Sequence, residues 1–223
     1  MPRSRVQILS PAPTFQIIMN LKINIATSES DKKICDNIVI ENHSYVASAK
    51  TVGRVIKYII LYENNVVGTF WLGSGFKPTP KSILDYFNKS QSEFDNMFNE
   101  VADNKRFCLV KSIPNLGSQV LKKIRNRAKQ DWYDKYNDDL KAIVTTIGSD
   151  KKGSVYLSDN WEFIGQTAGL PKERKSFSLK WDQGKEHLKT EAGWVDGKDR
   201  KRIFITSKLK DKILRSTLNN FFN

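Results

Sequence analysis

The sequence predicts an α/β (α+β) domain, a mixed central sheet flanked by helices, with a basic C-terminal extension. Three observations carry that prediction. Alternating or β-branched runs take turns with segments of helical period along most of the chain. Between 106 and 147 a strand, a glycine-bearing turn, a helix and a near-continuous apolar strand follow in the order of a parallel βαβ unit. Finally, 37 Lys+Arg against 24 Asp+Glu leave +13, weighted toward the C-terminus. With 223 residues, 39% of them hydrophobic, the chain has enough apolar surface for one large core or two small ones, which excludes a disordered protein.

Residues 1–18 carry Pro2, Pro11 and Pro13 with no period, and are too polar for a signal peptide. Arg5-Val6-Gln7-Ile8 reads as a frame through the T-arm of a tRNA gene (GTT CAA ATC), with Pro13 as its terminal CCA. The expected start is therefore Met19, beside a tRNA of the kind that prophages and genomic islands use for integration; the alternative is a disordered arm. The domain is expected over 19–207, and a C-terminal helix over 208–223.

Leu21, Ile23 and Ile25 alternate with polar residues, as a half-buried strand does. Ser28 and Ser30 offer N-caps, and Ile34, Cys35, Ile38 and Val39 then recur at helical spacing to about Asn42. After a loop with His43 and Tyr45, Val55–Tyr62 and Val66–Leu72 form a hairpin through Glu63-Asn64-Asn65. Ser82 caps a helix expected to run to Val101 on Ile83, Leu84, Phe87, Phe94, Met97 and Phe98. Arg106–Ile113 is the next strand, and Pro114-Asn115-Leu116-Gly117 the turn. A single helix from Ser118 then buries Val120, Leu121, Ile124 and Trp132, with Lys122, Lys123, Arg125, Arg127 and Lys129 opposite. Strands at Leu140–Ile147, Trp161–Gly165 and Arg202–Thr206 follow, with a short helix from Gly153 to Asn160, a loop over 166–200 and a terminal helix over 211–222.

Composition also excludes several functions. Cys35 and Cys108 are far apart and flanked by apolar residues, so no disulfide framework and no thiolate metal site is encoded. No cluster of His, Cys and carboxylates signals a metal. No apolar run reaches the ~20 residues that span a bilayer, and a reducing bacterial cytoplasm is the expected compartment, with no membrane partner. The positive charge points to DNA, or else to a solvent surface that an AT-rich genome fills with lysine.

The order of elements resembles that of acyl-CoA-dependent GNAT N-acetyltransferases. The resemblance implies a GNAT-like fold, acetyl-CoA or another acyl-CoA as cofactor, and a V-shaped opening between the strand ending at Ile113 and the one starting at Leu140. The amides of Gly117, Ser118 and Gln119 at a helix N-terminus suit a pyrophosphate. Ile113, Asn115 and Leu116 complete the expected cofactor site. The GNAT signature Gln/Arg-x-x-Gly-x-Gly/Ala survives here only as Gly117, so a tight βα turn is the other reading. Tyr156 through Gly165 resembles the helix-to-strand element in which a tyrosine protonates the departing CoA thiolate; Asn160 lies in the same element. A phenol with pKa near ~10 can do this, and a core tyrosine with a satisfied hydroxyl is the alternative.

A narrower resemblance rests on Asn104-Lys105-Arg106-Phe107, Pro114 to Leu121, Asp131-Trp132, Tyr136, and Gly153-Ser154-Val155-Tyr156 through Asn160-Trp161 to Gly165-Gln166-Thr167-Ala168-Gly169. In order these resemble the DruA-like family of Druantia anti-phage systems and the related Mom-like phage proteins. Mom-like proteins modify adenine in phage DNA (methylcarbamoylation), an anti-restriction device. The resemblance makes His43 and Tyr45 the His-Tyr element after the first helix and Arg106 a phosphate or carbonyl ligand. A backbone-bound loop histidine and a structural salt bridge are the alternatives for His43 and Arg106.

DNA binding is expected in the tail. Residues 170–215 hold fourteen Lys+Arg against seven Asp+Glu, interleaved with Phe177, Trp181 and Trp194. Lys175, Trp181, Lys198, Arg200, Lys201 and Arg202 suit phosphate contacts and base stacking; the alternative is a flap packed by its aromatics. The leading expectation is thus a Mom-like DNA base modification enzyme that transfers an acyl or methylcarbamoyl-type group to adenine. A non-catalytic DNA-binding component of a DruA-like defence system stands second. Acetylation of a protein or small molecule fits the charge less well, and a nuclease least, because Asp196-Gly197-Lys198 is a lone carboxylate-lysine pair.

Overall fold

The structure, a computed structural model, describes residues 20–43, 49–75, 77–168 and 200–210. The expected leader, the Tyr45 loop, most of 166–200 and residues 211–223 of the terminal helix lie outside those residues; 208–210, expected as the start of that helix, are not helical. β1 (Leu21–Ile25) runs antiparallel to β2 (Val55–Tyr62), with Ile23 opposite Ile60. Between them α1 (Glu29–Asn42) starts where Ser28 Oγ accepts the Asp31 amide at 3.1 Å, and it buries Cys35, Ile38 and Val39. β2 turns into β3 (Asn65–Ser74) through Glu63-Asn64, both left-handed at φ 50° and 63°, as a two-residue hairpin of matching twist requires.

Three expected elements are corrected. The helix from Ser82 to Val101 is two helices, α2 (Lys81–Phe87) and α3 (Gln91–Asn96), followed by a 3₁₀ turn at Phe98–Glu100. Asn88 ends α2 in the left-handed region, and Ser90 opens α3 with Glu93 in a reciprocal capping box. Pro80, not Ser82, holds the cap position of α2. Buried Ile83 and Phe94 keep one apolar period across the break, which is why the sequence reads as a single helix.

The strand expected at Arg106–Ile113 is β4, Val101–Leu109. Its pairing with β3, from Ser74 opposite Ala102 to Gly68 opposite Leu109, draws the polar stretch Asp103-Asn104-Lys105 into the sheet. The helix expected from Ser118 through Trp132 is α4 (Leu116–Arg125) and α5 (Ala128–Tyr136). The chain breaks at Asn126-Arg127, where Arg127 pairs with Asp131 at 2.5 Å and donates to the Ile23 carbonyl. Tyr58 donates to the same Asp131 carboxylate at 3.0 Å, which locks α5 to β1 and β2. A continuous helix would give up that buried network.

β5 (Ala142–Ile147) runs parallel to β4; α6 (Ser154–Ser158), β6 (Glu162–Gln166) and β7 (Arg202–Thr206) complete the sheet in the order β1-β2-β3-β4-β5-β7-β6. The expected mixed sheet flanked by helices is therefore what the chain forms. One face is covered by α1 over Ile59 and Trp71, and by α2 and α3 over Val101, Val144, Ile203 and Ile205. The other packs Phe70, Leu72, Ile143 and Phe204 against α4, α5 and α6. Among the described residues no helix is long and apolar enough to cross a membrane.

Candidate active site

β4 and β5 pair only through Val101–Ala142, Ala102–Ile143 and Asp103–Val144. Beyond Asp103 the two parallel strands part, while β4 stays paired to β3 and β5 to β7. The sheet is thus forked, opening toward Leu109 and Ile147. The loss of pairing expected of a V-shaped opening is present, at residues earlier than Ile113 because β4 ends earlier.

At the base of the fork Asn104 Nδ2 donates to Tyr156 Oη at 3.0 Å and to Thr145 Oγ1 at 3.3 Å. Asn104 and Tyr156 are 8% and 6% exposed. The Tyr156 ring stacks on Phe204 (centroids 5.8 Å apart) and meets Trp161 edge-on at 5.2 Å, so packing fixes where its hydroxyl sits. Gly153 makes this possible: at φ 74° it starts α6 where any Cβ would lie 2.4 Å from the Phe204 ring. Asn160 is exposed and left-handed at φ 59°, which closes the turn after α6; its neighbour Asp159 is the buried one. Asp159 accepts both arms of Arg125 at 2.6 and 2.7 Å and the Trp161 indole at 3.0 Å. Arg125 is therefore turned inward, while Lys122 and Lys123 remain exposed.

On the opposite face of the sheet a bulge at Lys105 places Asp103, Lys105 and Arg106 together. Asp103 is 7% exposed and lies 3.3 Å from Lys105 Nζ through Oδ2. Its Oδ1 is buried and has no hydrogen-bond partner among the described residues. Burial pushes this carboxyl up, against the pull of Lys105, Arg106 and Lys201. It lines an apolar pocket under α2 and α3 with Gly75, Phe94, Phe98 and Val144, with about 20 Å³ of room, enough for one water-sized group. His43 caps α1 through its amide on the Val39 carbonyl. Burial and the nearby Arg106 cation hold its imidazole below the ordinary range, so it is a neutral base at pH 7. His43 and Arg106 are thus brought together; Tyr45 lies outside the described residues.

The cofactor residues sit at the open end of the fork. Asn115, left-handed at φ 61°, starts α4, and Leu116 is fully buried in the core. The Leu116 and Gln119 amides are taken by the Ile113 and Asn115 carbonyls at 3.2 and 3.1 Å. Gly117 and Ser118 between them lie in the first turn, where amides have no intrahelical acceptor. Gly117 has a second duty: a Cβ there would come within 2.6 Å of Val155 Cγ2, so the glycine lets α4 touch α6. Of the DNA-binding residues, Lys175, Trp181 and Lys198 lie outside the described residues. Arg202 pairs with Ile147 and Gln166, and Lys201 exchanges hydrogen bonds with Thr167, which puts Arg200–Arg202 at the β5 side of the opening.

Sequence reasoning missed Asp103 and Thr145 and gave Asn104 no role. The signal was an Asp-Asn pair between Val101-Ala102 and Phe107-Cys108, polar atoms inside a stretch whose flanks are strand-like. Among the described residues no group of His, Cys and carboxylates could hold a metal.

No protein-family model and no curated protein matches the chain. Solved structures similar to it include acetyltransferases. They include aminoglycoside acetyltransferase AAC(6')-Ib in complex with coenzyme A (TM-score 0.47, 10% identity, 91% of this chain and 99% of that one). Others are an N-acetyltransferase from Staphylococcus aureus (0.47, 13%, 85% and 99%) and a GNAT family acetyltransferase from Elizabethkingia anophelis with acetyl-CoA bound (0.40, 13%, 84% and 98%). At these values the chemistry has to be read from this chain's own residues.

Proposed function

We propose that the chain is an acyl-CoA-dependent N-acyltransferase whose acceptor is a base amine in DNA, a Mom-like modification of adenine. The observation that carries this reading is the forked pair β4–β5 with the Tyr156 hydroxyl and the Asn104 amide at its base. An extended thioester arm fits between strands that have lost each other as partners, and the unpartnered Asn104 Oδ1 supplies an acceptor for an N–H of that arm. The first-turn amides of α4 at the open end suit its phosphates. The bound donor contributes a thioester carbonyl carbon open to attack.

The chain's residues do the rest. Asp103 takes the proton from the attacking nitrogen through a water in the one water-sized space beside it, a task for which a carboxyl pushed up by burial is suited. As the new C–N bond forms, the C–S bond breaks with its electron pair on sulfur, and Tyr156 gives its proton to that sulfur. Solvent then returns a proton to Tyr156 and removes one from Asp103. Arg106, Lys105 and Lys201 surround Asp103 with positive charge, and with Arg200 and Arg202 they make the opening attractive to a phosphate backbone.

Nucleoside mass spectrometry of DNA from cells expressing the protein tests this, with a new adenine derivative as the expected result. Charge reversal at Arg200, Lys201 and Arg202 should lower the salt slope of DNA binding by roughly 0.9 per lost phosphate contact. Unmodified DNA together with no acyl-CoA binding at millimolar ligand in calorimetry overturns the transferase. One observation favours a second reading, a DNA-binding component of a DruA-like defence system without catalysis. Gly117 is accounted for by Val155, so α4 begins with no glycine reserved for phosphate approach.

A further inference from the structure

Asn104 is the first residue of β4 past the fork, since Asp103 is the last one paired with β5. Its side chain spans the gap that the backbone leaves, touching Thr145 on β5 and Tyr156 on α6. The direction of those hydrogen bonds matters. An amide NH₂ only donates, so the Tyr156 oxygen must accept from it. A phenol proton lies near the ring plane on one side of the C–O bond or the other; a donor on one side leaves the other for the proton. The same donor stabilises negative charge on the oxygen as the proton leaves.

We propose that Asn104 is a positioning residue that aims the Tyr156 proton into the fork and stabilises the phenolate left behind. The inference rests on the acyltransfer reading above. Thr145 Oγ1 accepts the second hydrogen bond from the same nitrogen and holds the amide with its donors toward Tyr156. The oxygen is thereby turned to the side where no protein donor among the described residues reaches it. A ligand N–H entering the fork satisfies that oxygen, so one amide both reads the ligand and orients the acid.

Calorimetry with CoA and desulfo-CoA at pH 8–9 reads the proton's direction without turnover. A Tyr156 hydroxyl aimed at the ligand's sulfur should favour CoA by roughly 10-fold, the value of one hydrogen bond to a charged group. Asn104→Asp keeps the shape but only accepts, so it draws the Tyr156 proton to itself, and the CoA preference should vanish. Transfer should fall by roughly the 10²–10⁴-fold expected for a lost general acid. Asn104→Leu removes the donor without capturing the proton and should retain part of the preference; in a Tyr156→Phe background it should change the preference no further. If Asn104→Asp does not fold, the Asn104→Leu and Tyr156→Phe cycle decides alone. A wild-type CoA preference in Asn104→Asp, or an Asn104→Leu effect undiminished by Tyr156→Phe, overturns the positioning role. Failure of the wild type to bind CoA or acetyl-CoA overturns the acyltransfer reading instead.

Discussion

The two edges of β4 differ, and the difference separates stability from chemistry. Toward β3 the strand is paired from Ala102 to Leu109 with a single bulge at Lys105, and Phe70, Trp71 and Leu72 of β3 are fully buried. Phe70 is fully buried between Tyr58 and Phe107, with ring centroids 6.2 and 5.7 Å away. Toward β5 pairing stops after Asp103, and the residues at that point are Asp103, Asn104 and Thr145, all less than 9% exposed. Where a sheet is continuous, backbone groups satisfy each other and side chains are free to be apolar. Where it forks, side-chain polar atoms take over, and two of them, Asp103 Oδ1 and Asn104 Oδ1, have no donor among the described residues.

The largest effects should therefore be of opposite kinds on the two edges. Phe70→Ala, on the continuous edge, should cost about 3–5 kcal/mol of stability, the usual cost of removing a buried ring. Tyr156→Phe, at the fork, keeps the contacts with Trp161 and Phe204 and removes only the hydroxyl. Its melting temperature should barely move while acyl transfer falls roughly 10²–10⁴-fold. Thermal denaturation and turnover on the same two samples check both. A Tyr156→Phe protein that transfers normally would reduce the hydroxyl to a packing partner of Asn104.

The continuous edge was also the legible one. β1, α1, the β2–β3 hairpin and β7 follow from alternation, a serine cap and a two-residue turn, which are all local signals. The fork was not legible, because a strand read from Arg106 leaves Asp103 and Asn104 in what looks like the frayed end of a helix. Only pairing with β3, a contact between residues some thirty positions apart, brings them into the sheet. The same limit explains the two split helices. Leu116, Val120, Leu121 and Ile124 continue in phase to Ala128 and Trp132, so nothing local announces that Arg127 will leave the helix for Asp131 and the Ile23 carbonyl. Tyr156 was found only because its surroundings resemble a family motif; from composition it is one tyrosine of seven.

A smaller effect tests whether the start of α4 belongs to packing or to the fork. Gly117→Ala puts a methyl within 2.6 Å of Val155 Cγ2 and should cost about 1–3 kcal/mol, as overpacking does. Val155→Ala in the same chain removes the clash and should restore most of that loss. CoA affinity in the double variant then separates the glycine's two duties. Wild-type affinity assigns Gly117 to the α4–α6 contact, whereas weak binding in a restored fold assigns it to phosphate approach.

Asp103 gives the smallest expected change in stability, and its sign is opposite to that of most aspartates. Burial raises its folded-state pKa above the unfolded value even with Lys105 beside it. Between those two values the folded state binds more protons than the unfolded state, so stability falls as pH rises through that window. Below the unfolded pKa both states are protonated and the group costs nothing. Above the folded pKa the full penalty remains. Asp103→Asn removes the ionisation while keeping the shape, and should raise the melting temperature at pH 7 relative to wild type, with the gain disappearing toward pH 3–4. The same substitution should depress transfer and flatten the acidic limb of its pH profile, because the group that takes the amine proton is gone. Melting curves across pH settle the sign. A variant less stable than wild type at pH 7 would mean that the Lys105 pair outweighs burial, and that the carboxylate is held ready by its cation instead of being pushed up by its surroundings.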